Sequence, residues 1–206
     1  MSITLALIIL TCLVSFYALK NESFLESRMM NPYKVMQRGQ YYRLLTSGFI
    51  HADLGHLFFN MFSFYFFGSQ IESIFTQLFG GAAALYLILF YLAGIVISDI
   101  PTLVKHKNDP GYNSLGASGG VSSVIFGAIL FFPLNNICLY GIICFPGFVF
   151  GLLYIGYSFY ESRRGAGYIN HDAHLYGALF GILFMAVVYP PVISTFFSQV
   201  SSWRIF

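Results

Sequence analysis

Six apolar runs divide the chain, at 2–19, 54–71, 81–98, 118–132, 137–160 and 173–189. The first is uncharged and stops at Lys20-Asn21-Glu22; lacking a basic leader and a cleavage site, it reads as a retained span. The second follows Asp53, which is positioned to cap it. The third stops at Asp99 and Pro101, and the sixth at Pro190-Pro191, where proline bars further helix. Within the fifth, Pro146-Gly147 predicts a kink. A polar connection to about Arg43 separates the first two runs and holds much of the charge. Uncharged apolar runs of this length predict membrane-spanning helices. No second domain, low-complexity linker or internal repeat is visible, so 1–206 reads as one all-α bundle of six transmembrane helices.

The fourth run is short. Fifteen residues, Ser118 to Phe132, lie between Gly116-Ala117-Ser118-Gly119-Gly120 and Pro133. As a helix they rise about 22 Å, against a hydrocarbon core of about 30 Å. With Pro133 at one interface, Ser118 lies roughly 8 Å below the other. A hydroxyl flanked by glycines at a submerged helix N-terminus suits a nucleophile.

Alternation of the spans gives helices two, four and six one direction. Each carries polar residues at the same end: His56 and Asn60, then Ser118, then His174. Helix six, with 16 residues from His174 to Tyr189, also begins below the surface. Polar groups inside a membrane are costly and face the bundle interior or a wet cavity. Their shared depth predicts a single pocket.

Composition agrees with this class. The chain is 57% hydrophobic, 19% aromatic and 9% charged, where a soluble domain has about 25% charged residues. A net charge of +2 argues against a nucleic-acid partner. Cys12, Cys138 and Cys144 lie in apolar runs without C-x-x-C spacing, which predicts neither a disulfide framework nor a zinc site.

Each polar residue also has a plainer use. Ser118 could let two helices approach, as could the Ala173-x3-Gly177-x3-Gly181 stripe beside His174. His56 and Asn60, one turn apart, could bridge neighbouring helices. Taken together and in order, His51-x4-His56-x3-Asn60, Gly116-Ala117-Ser118-Gly119 and Ala173-His174-Leu175-Tyr176-Gly177-x3-Gly181 resemble the rhomboid intramembrane serine proteases. Tyr42-Arg43 is similar to the family's aromatic-Arg pair, with Tyr in place of the usual Trp. The resemblance covers nearly the whole chain, as a minimal six-span core with short helices four and six.

The resemblance implies a Ser118/His174 dyad. Ser118 attacks the scissile carbonyl while His174 takes its proton and later passes it to the leaving amine. It implies an oxyanion hole formed by the Ser118 backbone N–H with His56 and Asn60. His51 and Gly116 are expected to support the site, and Gly119 and Gly177 to let helices four and six approach. The implied substrates are single-span membrane proteins entering from the lipid, with the second and fifth spans as gate. No cofactor and no metal are implied. Many bacterial rhomboids carry an aromatic residue four positions after the serine, packed on the histidine; here that position is Ser122, so His174 must be oriented from elsewhere. By resemblance the chain is a multi-pass protein of a bacterial plasma membrane, its pocket opening outward. Its charges point the other way: Lys20, Arg28, Lys34, Arg38, Arg43, Lys105, Lys107, Arg163 and Arg164 share the pocket face, and Arg204 lies opposite. Pairing with Glu22 and Glu26 is the expected resolution.

Three rivals stand beside this reading. A metal site could use His51, His56, His171, Asp172 and His174, but there is no H-E-x-x-H, and a metal explains neither Ser118 nor its glycines. A soluble-type hydrolase matches G-x-S-x-G yet lacks the preceding strand. A catalytically silent rhomboid-like protein binding transmembrane helices would be marked by loss of the serine or histidine, and both are present. Asp172 is expected to cap the sixth helix, not to complete a triad, because residues two apart do not share a helical face.

Overall fold

The computed structural model describes residues 2–139, 141–164 and 169–204, and these are mostly helical. Helix α1 (Ile3–Leu19) is capped by Ser2, whose hydroxyl accepts from the Leu5 N–H. Apart from Leu7, its buried stripe is small or polar (Thr4, Thr11, Ser15, Ala18), while Leu5, Ile9, Leu10, Leu13 and Phe16 point outward. The connection to the next long helix is folded, with α2 (Glu22–Arg28), α3 (Pro32–Arg38), α4 (Arg43–Thr46) and a 3₁₀ turn at Ser47–Phe49. Arg43 holds it together: its buried guanidinium donates to the Glu26 and Met29 carbonyls, at 2.9 and 2.7 Å, and to Gln40. The expected pairing of basic residues with Glu22 and Glu26 does not occur; the ion pairs among the described residues are Lys105–Asp172 and Arg164–Glu161, with the His106 ring 3.9 Å from Asp109.

Helix α5 (Leu54–Phe79) begins at the Asp53 cap and runs 26 residues, past the end expected at Ile71. Glu72 does not stop it, because its carboxylate accepts the Ile3 and Thr4 N–H groups at 2.8 and 3.0 Å. An anion at the free N–H groups of α1 is satisfied by both hydrogen bonds and helix dipole. A 3₁₀ turn at Gly80–Ala82 leads to α6 (Ala83–Ser98). Pro101 then sits in the first turn of a new helix, α7 (Ile100–Lys105), where its missing N–H costs nothing. Helix α8 (Ser118–Phe131) is the axis of the fold: every residue from Gly119 to Leu130 is buried.

The fifth apolar run is corrected by the structure. It is not a kinked helix but a hairpin followed by a helix. Strands β1 (Asn136–Leu139) and β2 (Ile143–Pro146) pair antiparallel, with Gly141 at φ 70° in the turn, and α9 (Gly147–Arg164) starts where Pro146 ends the ladder. The pairing sets Cys138 opposite Cys144, which are joined in a disulfide, against the sequence expectation. Residues too far apart for C-x-x-C were brought together by the turn. Helix α10 (His171–Val188) and the amphipathic α11 (Pro191–Ser202) complete the chain. The cap of α10 is Asn170, not Asp172; its side chain accepts from Ala173 N–H, and the helix starts two residues before the expected 173.

Long outward-facing rows of Phe, Leu and Val, including Phe58, Phe62, Phe66, Leu85, Leu89, Leu152, Leu179, Leu183 and Val187, cover the bundle. Among the described residues, the helical run 54–105 and helix His171–Val188 have the length and apolarity of a membrane crossing. Ile3–Leu19 and Ser118–Phe131 are apolar but shorter.

Candidate active site

Ser118 is the first residue of α8, and the chain leading to it is clamped from three sides. Gly116 donates its N–H to the Ser47 carbonyl at 2.9 Å, and Met30 and Ser114 form an antiparallel bridge. The Asn31 amide reaches the Pro110 and Tyr112 carbonyls and Asn113. On this loop the His106 and Tyr112 rings stack at 3.8 Å. Burial and neighbouring Lys105 hold His106 below its ordinary pKa, while burial and nearby carboxylates push Tyr112 up to about 12, so both are neutral at pH 7.

His51, wholly buried, fixes the residue before the serine. Ala117 N–H donates to its Nε2 at 3.3 Å, so Nδ1 carries the proton and donates to Ser15 Oγ at 2.9 Å; Ser15 in turn donates to the Phe49 carbonyl. Gly116 has φ 118°, a region L side chains avoid, and a Cβ there would lie 2.5 Å from His56 Cε1. The His56 ring therefore packs against Gly116, on the first turn of α5, where Asp53 accepts its N–H at 2.8 Å. Asn60 lies one turn further on, buried, donating one of its two amide N–H groups to the His56 carbonyl at 2.9 Å.

His174 sits in the first turn of α10, half-buried like Ser118 and His56. The two first turns adjoin because α8 and α10 touch backbone to backbone. A Cβ on Gly177 would fall on the Gly119 carbonyl oxygen, one on Gly181 on the Ser123 carbonyl oxygen, and one on Gly119 would meet Ser98 and the Ala173 carbonyl. Asn170 anchors this end of α10 to neighbouring helices, accepting from Thr102 Oγ1 at 3.0 Å and donating to Asp99 at 3.3 Å. All the polar residues expected at one depth thus lie at one end of α5, α8 and α10.

The family model for the Rhomboid domain matches residues 38–191, three-quarters of the chain. The chain belongs to the rhomboid family. It is 30% identical over 173 residues to the mitochondrial RHOMBOID-like protein 12 of Arabidopsis thaliana, covering 77% of this chain and 49% of that one. Against the putative rhomboid protease YdcA of Bacillus subtilis it is 32% identical, covering 70% and 66% respectively. The human mitochondrial presenilin-associated rhomboid-like protein is 28% identical, with 69% and 36% covered. This rhomboid chain therefore spans about half the length of the curated relatives it matches, and the family is membrane-embedded.

In this rhomboid two residues of the rival metal reading already have other partners. Asp172 is occupied by Lys105 Nζ at 2.9 Å and by the Ser162 hydroxyl, and His51 is committed to Ala117 and Ser15. Among the described residues no three His, Cys, Asp or Glu side chains are grouped to hold a metal. Two residues at the site escaped the sequence. Tyr154 of α9 lies nearly parallel to the His174 ring, with centroids 6.0 Å apart, and its hydroxyl is 2.7 Å from Ser122 Oγ. Asn170 and Asp172 are equally good caps by residue type, so local sequence does not choose between them. The one signal for Tyr154 was Ser122 itself, one of two adjacent hydroxyls in a largely apolar helix, which needs a partner.

Proposed function

We propose that this rhomboid is an intramembrane serine endopeptidase with a Ser118/His174 dyad, built on six membrane-crossing segments: α1, α5, α6, α8, α9 and α10. The observation that carries the reading is the backbone contact of Gly119 with Gly177, which sets the first turns of α8 and α10 side by side. His174 takes the Ser118 proton as Oγ bonds to the substrate carbonyl carbon, then gives it to the leaving amine; water releases the acyl group by the reverse sequence. The N–H of Ser118, at the first position of α8, lacks an intrahelical partner and lies at the positive end of the dipole. That N–H, the His56 ring and the second Asn60 N–H are the donors for the developing oxyanion. The substrates are membrane proteins with a single span, cleaved within or near the bilayer. Their route in from lipid passes beside α9, which follows a hairpin and packs on α8 through Gly151.

The test is turnover of a transmembrane substrate by purified protein in detergent. Ser118→Ala and His174→Ala are expected to abolish cleavage while thermal unfolding stays cooperative, and a fluorophosphonate is expected to label the parent at Ser118. Chelators are expected to have no effect. Full activity in Ser118→Ala would end the reading, and an inactive, unlabelled parent would support the helix-binding alternative.

A further inference from the structure

We propose that Tyr154 is the residue that positions the His174 base, with Ser122 as its anchor; this rests on the protease reading above. An imidazole on the first turn of a helix keeps rotational freedom about its side-chain bonds unless a neighbour restricts it. The rings packed on His174 are Tyr154, inclined 22° at 6.0 Å, and His171, edge-on at 5.7 Å. His171 belongs to the same helix, three residues earlier, so it moves with His174 and cannot align it against α8. Tyr154 can, because it comes from a third helix and is itself tied to the helix bearing the nucleophile. Its hydroxyl meets Ser122, and its ring lies 5.5 Å from Phe126. Ser118, Ser122 and Phe126 are spaced by four, so they share one face of α8. The tyrosine thus measures the base against the serine's own helix face. Offset parallel stacking within 4.5–7 Å is a favoured aromatic geometry, and the buried Ser122 hydroxyl has its partner supplied.

The ring comes from α9, which packs on α8 through Gly151 against Phe126 and Ile129, the Tyr154 ring against Phe126, and the Tyr154–Ser122 pair. Alignment of the base therefore depends on α9 being docked. A shift of α9 away from α8 withdraws the ring and frees the imidazole, which makes Tyr154 a positioning residue that acts through His174.

The experiment compares Tyr154→Leu, Tyr154→Phe, Ser122→Ala and the Tyr154→Phe/Ser122→Ala pair with the parent, each checked for thermal stability. Tyr154→Leu is expected to lower kcat by about 10- to 100-fold with KM unchanged, the scale for misplacing a catalytic group. Tyr154→Phe keeps the ring and is expected to lose less than about tenfold, as is Ser122→Ala, each removing one hydrogen bond. The double variant is expected to be no slower than either single one, since both break the same bond. Parental kcat in Tyr154→Leu, or fully additive losses in the double variant, would overturn the proposal. A second measurement does not depend on turnover: in histidine-labelled protein, the His174 ring resonance, assigned with His174→Gln, is expected to move in Tyr154→Leu as the ring current is lost. A stationary resonance refutes the stacking role even if the parent proves inactive, an outcome that would count against the protease reading instead.

Discussion

Replacing Gly177 by alanine tests the contact on which the site depends. A Cβ at position 177 would lie 3.0 Å from the Gly119 carbonyl carbon and 3.1 Å from its Cα, with the carbonyl oxygen closer still. Ordinary contact begins near 3.4 Å, and the obstructing atoms are backbone, which has no rotamer to adopt. Helices α8 and α10 must therefore separate by at least several tenths of an ångström, and by more to clear the oxygen. Overpacking of this kind costs about 1–3 kcal/mol. Opposing it, alanine favours a helix over glycine by up to about 1 kcal/mol. The steric cost wins. Gly156 on α9 supplies the control, since a Cβ there meets nothing within 4 Å. Gly156→Ala gains the helix preference without the clash, so the difference between the two variants isolates the contact. Gly177→Ala is expected to unfold at lower temperature in detergent than Gly156→Ala, and to lose about 10- to 100-fold in turnover and in fluorophosphonate labelling, as misalignment of the dyad by up to 1 Å would cause. Parental stability and labelling in Gly177→Ala would refute the claim that backbone contact sets the dyad.

The remaining predictions concern charge and orientation. Asp172→Asn is expected to retain most activity and to change stability by no more than about 1 kcal/mol, because its carboxylate serves the half-exposed Lys105 and Ser162, not His174; a loss approaching 10⁴-fold would reveal a triad carboxylate. With the pocket facing outward, a cysteine at exposed Gln37, in a cysteine-free background, is expected to react with impermeant thiol reagents added to intact cells, and one at Asn135 to be protected. In the same orientation the hairpin carrying Cys138 and Cys144 faces the reducing cytoplasm, so rapid alkylation in cells is expected to find both as thiols. Protection at 37, reaction at 135 and an intact disulfide would together reverse the orientation, in agreement with the lysines and arginines.

Much of the candidate site's framework was legible along the chain because it is carried by local spacing. The glycines around Ser118, the Asp53 cap, the His56–Asn60 turn and the start of α8 follow from rules acting over a few residues, and each is found where the pattern placed it. Membership of the rhomboid family was legible for the same reason. What hydropathy could not resolve was the use of apolar residues that serve strand and helix alike. The run 137–160 therefore concealed a hairpin, and cysteines with no recognisable spacing became partners across its turn. The second helix was expected to end at Ile71 but continues through Glu72, whose partners, the free N–H groups of α1, lie nearly seventy residues away. Tyr154 was one tyrosine among many until α9 docked beside α8 and set it between Ser122 and His174. The sequence alone determined which helix ends carry Ser118, His56, Asn60 and His174, through spacings of three and four. Only the tertiary structure decided which ring packs on His174 and which carboxylate is already occupied, because hydrogen bonds and ring contacts depend on distances between helices that no local pattern records.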